Sequence, residues 1–429
     1  MTGKRRAERP TRSLSRPAAP PQPGAQVIAP TKSRRELRAE RRRQRRRRFG
    51  AAGIAAIVVV VVVVLGVGGF FVHRATSGTS TPTDPQTTLL VSLQGSDGTA
   101  IASMLGAHDV KHKQGLELLV PSRLITDVCG FGSQQFGQII ALPRGTPLAQ
   151  QALSQVLGGV TVDGSWLLST QQLARLVDTV GGVTVDVDVD VERSLPGGTT
   201  QVVVPAGKGQ HLNGANAVAF ATYQASGEDA AAVLSRFQTV FQAVANRLPA
   251  KAAATQRVLT AAGVHATLPM AQLASLLVAL AHDASTAALL PEDLPTKTID
   301  SGGGATSYRV DSAGIASLVS SQLAASVPAG ADQKRQTVFV ENGVGRSGLV
   351  ESACNRLLPA GYGFAGSGNA QSFNHAQSQV IVFDSTVAAA RVGDDVARLL
   401  RLPQSDVVAS SQGQNVADVV VILGRDYKP

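Results

Sequence analysis

The hydrophobic pattern divides the chain sharply. From Phe49 to Val72 it is unbroken, 24 residues (FGAAGIAAIVVVVVVVLGVGGFFV) with no charge and no proline. As a helix rising about 1.5 Å per residue, this run is long enough to cross a hydrocarbon core of roughly 30 Å. A strand of the same composition would leave its backbone unsatisfied in lipid, so the pattern predicts a transmembrane helix. Beyond a polar stretch, periodicity returns. Leu89–Gln94, Thr99–Asp109 and Gly115–Ser122 read as three strands of an antiparallel meander, the first turn being Gly95-Ser96-Asp97-Gly98. Leu148–Val156 and Ser169–Val180 have helical spacing and run into Gly158-Gly159 and Gly181-Gly182, where glycine suits a C-cap. VTVDVDVDVE (Val183–Glu192) alternates strictly and predicts one half-exposed strand, valines inward and acids outward. Lys208–Gln224 reads as a glycine turn followed by a helix. Asp229–Pro249 is a long helix with Leu234, Phe237, Phe241 and Val244 on one face. Lys251–Ala262 and Met270–His282 are further helices, and Thr306–Ala324 is a strand followed by a helix.

A second unit follows the linker Pro328–Arg335. Val338–Glu341 is a strand, Leu349–Leu358 a helix, Ser378–Asp384 a strand and Val387–Leu402 a helix. DVVAS (from Asp406) is an edge strand and Ala417–Tyr427 a final buried one. This β-α-β-α-β order indicates a compact α/β domain. The expected organisation is therefore a disordered basic tail (1–48), a transmembrane helix (49–72), a linker (73–88), a first α/β domain (89–327) and a small α/β C-terminal domain (337–427).

Charge sharpens this picture. The formal net charge is +10, yet residues 1–48 hold 17 Lys/Arg against three Glu, so the remainder of the chain is net acidic. RRRQRRRR (Arg41–Arg48) abuts the apolar run, whereas only His73 and Arg74 follow it. That asymmetry predicts a cytoplasmic N-terminus and an extracytoplasmic bulk at the cell membrane. Positive-inside retention and anionic lipid account for the basic tail, and nucleic acid is not an expected partner. Only two cysteines occur, Cys129 and Cys354. They form no CxxC or metal pattern; a disulfide between them and two buried free thiols are both open readings.

Few residues suggest chemistry. Asp186, Asp188 and Asp190 lie on one strand face. Clustered carboxylates could ligate calcium, but with no glycine-containing calcium loop beside them a solvated face is the better reading. Asn342-Gly343-Val344-Gly345-Arg346-Ser347-Gly348 lacks dinucleotide and P-loop spacing and reads as a tight packing turn. The histidines are scattered, and neither G-x-S-x-G nor H-E-x-x-H occurs.

Two groups of segments resemble a known family. VENGVGRSGLVESACNRLLPAGYGF, SQVIVFD and VVVILGRDY look like the LytR C-terminal domain across nearly all of Thr337–Asp426. LLVPS, LLSTQQLARLVDTVGGVTVDV, GQHLNGANAVAF and SRFQ resemble the LytR–CpsA–Psr (LCP) domain. The resemblance implies a phosphotransferase that moves a glycopolymer from a polyprenyl-pyrophosphate carrier to peptidoglycan, with a divalent cation (magnesium). Membrane, lipid-linked glycopolymer and peptidoglycan are the implied partners. A pyrophosphate site demands several cationic groups. Here Ser122 stands where the family has arginine and Arg123 where it has aspartate. Ala221-Thr222-Tyr223-Gln224 lacks both arginines of an Arg-x-Arg pair, and Ala230–Ala232 offers no partner to Arg236. Asp97 echoes an early Gly-Ser-Asp. Asp97, Arg123 and Arg236 are the residues expected to carry any remaining activity. The losses point to a degenerate active site. The alternative is a non-catalytic envelope module that binds wall polymer, lipid-linked precursor or an active paralogue.

Overall fold

The computed structural model describes residues 86–429, apart from residue 197 and residues 301–305, 329–334 and 411–415. The predicted transmembrane helix at 49–72 and the basic tail lie outside the described residues. Among those described, no helix is long and apolar enough to cross a membrane.

The chain opens with β1 (Gln86–Gln94), β2 (Ala100–Asp109) and β3 (Gln114–Val120), the expected antiparallel meander. A small hairpin of β4 (Ile125–Val128) and β5 (Gly132–Gln135) leads into the helices α1 (Phe136–Ile139) and α2 (Gly145–Val156). Next come β6 (Gly164–Ser169) and α3 (Thr170–Thr179). The sequence pattern missed β6, whose GSWLLS shows no alternation. In the structure β6 pairs parallel to β1. The start of α3 was legible: Ser169 and Gln172 form a reciprocal capping box. Its end was too, with Gly181 and Gly182 at φ of 81° and 83°, a region that favours glycine.

The alternating VTVDVDVDVE is not one strand. It splits into β7 (Val183–Val187) and β8 (Val191–Ser194), which pair with different partners. Alternation reports which face is buried, not where pairing changes hands. Here β9 (Thr200–Val204) pairs with β8, and β10 (Gly207–Leu212) pairs with β7. There follow α4 (Gly214–Ala221), α5 (Ala231–Arg247), α6 (Ala252–Ala261), α7 (Met270–Ser285), β11 (Leu289–Asp293), the hairpin β12 (Thr296–Asp300) and β13 (Thr306–Val310), and α8 (Ser312–Gln322). The main sheet has the order β11-β3-β2-β1-β6.

Helices cover both faces of this sheet. Leu89, Val91 and Leu93 pack with α3, α4, α5 and α7 on one side. On the other side Leu90 packs with Leu105, Leu118, α1, α2 and α8. A strand buried on both faces reads as a continuous apolar run, which is why β1 shows LLVSL rather than clean alternation.

One acid interrupts the first of these cores. Glu117 of β3 is 1% exposed, and its Oε2 accepts hydrogen bonds from Gln238 (3.0 Å) and Gln242 (2.5 Å) of α5. Burial pushes its carboxyl above the ordinary carboxylate value, and the two amides only partly offset that. The neutral form therefore suits the fold. The associated stability is fully present below the ordinary pKa of 4.5 and declines as pH rises toward the folded value. Glu117→Gln is expected to stabilise the protein at pH 7 by about 1 kcal/mol, the scale of one buried hydrogen-bonding group. The gain should vanish near pH 4; urea unfolding at the two pH values checks it.

The second unit is built on β14 (Thr337–Asn342), α9 (Leu349–Leu357), β15 (Gly363–Asn369), β16 (Gln379–Val382), α10 (Val387–Leu400), β17 (Val407–Ala409) and β18 (Val419–Leu423). Its sheet order is β15-β14-β18-β16-β17. The unforeseen strand is β15, GFAGSGN, whose glycines hide it from any propensity argument. Gly366 and Gly368 lie against the ring of Phe339.

The two units are joined covalently. Cys129, at the tip of the β4–β5 hairpin, is disulfide-bonded to Cys354 of α9. Both are buried, and Cys129 belongs to the core of the second unit. Of the two readings left open by the sequence, the disulfide is the one present. Beside it Arg144 pairs with Glu351 at 3.0 Å, and the Phe364 N–H on edge strand β15 donates to Gln155 Oε1 at 3.1 Å.

Candidate functional site

Asp97, Arg123 and Arg236 lie at loop and helix positions around the carboxyl end of β1 and β3. Asp97 sits in the β1–β2 turn, exposed. The Thr99 N–H (3.1 Å) and Thr99 hydroxyl (2.9 Å) donate to its carboxylate, holding that carboxyl below its ordinary value. It is an Asx-type turn stabiliser as it stands.

Ser122, in the place where the family has arginine, turns inward and donates to the Ile101 carbonyl at 2.6 Å. Arg123 is exposed. Strand parity would direct it away from a site formed by its neighbours, but β3 ends at Val120 and Pro121–Leu124 is a turn closed by Leu124 N–H to Pro121 O. Parity therefore does not govern Arg123. Its side chain has no hydrogen-bond or ion-pair partner among the described residues. It lies near Tyr308, whose hydroxyl donates to Asp229 at 3.0 Å. Burial raises the Tyr308 hydroxyl pKa, and the Asp229 carboxylate adds to that.

Arg236 is the buried member, at 2% exposure on α5. Its guanidinium is fully engaged. Nε and Nη2 donate to the two Asp188 oxygens at 3.0 and 2.7 Å. Nη1 and Nη2 donate to the two Glu228 oxygens at 2.8 Å each. Nη1 also donates to the Tyr223 carbonyl at 2.7 Å. An arginine side chain has five N–H donors, and these contacts use all of them. The Tyr223 ring lies 5.6 Å from Cζ, a cation–π distance. The Glu228 hydrogen bonds, then those of Asp188, push the guanidinium pKa further up, and the Glu228 carboxyl is held low in return.

One cation thus faces two carboxylates, with Asp229 close by in sequence. The charge of the guanidinium is compensated within the fold. Among the described residues no hydrogen bond or ion pair joins Asp97, Arg123 and Arg236 to one another.

The residues present do not fit a divalent cation as they stand. The Asp97 oxygens serve Thr99, and Asp188 and Glu228 serve Arg236. Among the described residues no group of three His, Cys, Asp or Glu could hold a metal ion. The row of aspartates on the alternating segment is exposed, as expected, but each has a task. Asp186 accepts from Gly209 N–H at 2.8 Å, Asp190 from Ala206 N–H at 2.7 Å, and Asp188 from Arg236. Sequence reasoning missed Asp188, Glu228 and Tyr223 as partners of Arg236. The available signal was indirect: an arginine on the apolar face of a helix needs acceptors when it is buried.

Two family models match the chain. The LytR_cpsA_psr family matches residues 123–288, and the family described as LytR cell envelope-related transcriptional attenuator matches residues 335–427. The chain carries a LytR–CpsA–Psr domain, and behind it a LytR C-terminal domain. Among solved structures it is similar to B. subtilis TagV, at 15% identity and a TM-score of 0.46 over 55% of this chain and 95% of that one. It is similar also to B. subtilis TagU, at 17% and 0.43 over 57% and 98%. A structure of TagT bound to LI-WTA aligns at 17% and 0.45 over 56% and 90%. No curated protein sequence matches significantly.

Proposed function

We propose that this protein works in the cell envelope, anchored by residues 49–72, in the attachment of glycopolymers to the wall, and that its LCP domain no longer performs the phosphotransfer. In this reading it holds lipid-linked precursor or wall polymer without transferring it. The LytR–CpsA–Psr and LytR C-terminal matches support the envelope role. The observation that carries the loss of chemistry is Arg236, whose every donor is taken by Asp188, Glu228 and Tyr223. Transition-state stabilisation of a transferring phosphoryl group depends on donors aimed at the developing charge, each worth several kcal/mol. A guanidinium already saturated by two carboxylates supplies none.

The test is turnover of a polyprenyl pyrophosphate by the full chain in detergent with magnesium. The expected result is no phosphate release above background, unchanged by Arg236→Ala. Release that falls at least tenfold in that variant would restore the catalytic reading.

A further inference from the structure

The opposite end of the main sheet carries an unassigned groove. It has a volume of about 420 Å³ and lies between the β2–β3 hairpin and α7, lined by Thr87, His108, Val110, Ser275, Leu276 and Ala279 among others. The strand register places it. Gln86 lies opposite Asp109 and Thr87 opposite His108, so Val110–Lys113 project beyond the first residue of β1. The hairpin tip therefore stands where the chain enters the domain.

Three features of this end point to one class of partner. Val110 is 58% exposed, one of few large apolar side chains so placed. Lys111 and Lys113 are exposed and have no carboxylate partner among the described residues. The two acids nearby are both engaged by histidine. Asp109 Oδ2 meets His112 Nδ1 at 2.7 Å, and the buried Asp283 meets His108 Nδ1 at 2.7 Å. Asp283 reaches His108 because Gly115 leaves room: a Cβ there would stand 2.7 Å from Asp283 Oδ2. With Nδ1 committed, the other ring nitrogen of His108 is left for the groove. The result is an exposed apolar residue and two lysines without carboxylate partners at a hairpin tip, beside a partly apolar groove, a match for an anionic lipid surface.

The chain outside the structure supplies the geometry. Thirteen residues, 73–85, separate the apolar run from Gln86. Whatever its conformation, a chain of that length reaches at most about 50 Å. That length bounds how far Gln86 can stand from residue 72.

We infer that Val110–Lys113 and the adjoining groove dock on the anionic outer leaflet of the membrane. The inference rests on residues 49–72 being the anchor. The experiment uses the full chain with Val110→Trp, incorporated into vesicles of phosphatidylcholine with about a third phosphatidylglycerol, part of it brominated in the acyl chain. Trp166, the native indole, is 1% exposed in the core and serves as the unquenched reference in the parent chain. The expected result is flotation with the vesicles and bromine quenching of the residue-110 indole. Adding Lys111→Glu and Lys113→Glu abolishes the quenching without affecting flotation. Each lysine near an anionic surface is worth on the order of fivefold in the docking equilibrium, so losing both costs on the order of thirtyfold. Flotation without quenching overturns the docking alone. Failure to float overturns the anchor and the docking with it.

Discussion

Replacing Cys129 and Cys354 together with serine is expected to destabilise the folded protein by about 3–5 kcal/mol. Two terms add. The bond closes a loop over a sequence separation of 225 residues, long enough to constrain the unfolded chain strongly. Both sulfurs are also buried, so serine would place two hydroxyls in an apolar core. Because the bond crosses from the β4–β5 hairpin to α9, the loss should appear as uncoupling. Denaturant unfolding of the oxidised protein should show the LytR C-terminal domain melting with the LCP domain; the double variant should show it melting first. Two further polar ties, Arg144–Glu351 and Gln155 to the Phe364 N–H, are partly exposed and worth little. A change below about 1 kcal/mol with one shared transition would mean that packing alone joins the units. Such a bond also requires an oxidising compartment, in keeping with the proposed extracytoplasmic location.

Arg236→Met is the second large effect, expected at about 2–4 kcal/mol. Removing the cation leaves Asp188 and Glu228 facing each other without compensation, and breaking buried pairs costs about 3–5 kcal/mol. The lower figure applies here because the Asp188 side chain is 56% exposed and Glu228 28%. The pH dependence has a fixed sign. Arg236 holds the Glu228 carboxyl below its ordinary 4.5, so the stabilisation is present above that value and is lost as pH falls through the folded one. The gap between parent and Arg236→Met should therefore shrink from pH 7 to pH 4. Arg236→Met with Glu228→Gln should be more stable than Arg236→Met alone. A gap that widens in acid would exclude this account of the pair.

Much of the scaffold was legible in the sequence because long periodic segments admit one reading. The meander, α5 and α7 stand close to where their apolar spacing puts them. What escaped was pairing that depends on distant segments. β6 and β15 show no alternation, one flat in pattern and one rich in glycine, and each is a strand only because a neighbour offers its edge. The split of Val183–Glu192 has the same origin: alternation cannot say that Val187 ends one ladder and Val191 begins another. The three expected site residues stand in two turns and on α5, with no hydrogen bond or ion pair joining them among the described residues, and their state was not foreseeable. Saturation of Arg236 depends on Glu228, eight residues before it, and Asp188, in the link between β7 and β8. Residue type alone does not reveal such a commitment.

The place of β1 in its sheet has a mechanical consequence. The strand that receives the chain at Gln86 is not at an edge; it is paired with β2 on one side and β6 on the other. A pull on the chain at Gln86, directed along the strand, loads both ladders in shear, many hydrogen bonds at once. A strand at the margin pulled crosswise would instead open one bond after another. Under the proposed function, in which residues 49–72 anchor the chain and the domain holds polymer, tension entering at Gln86 would be shared by two ladders at once.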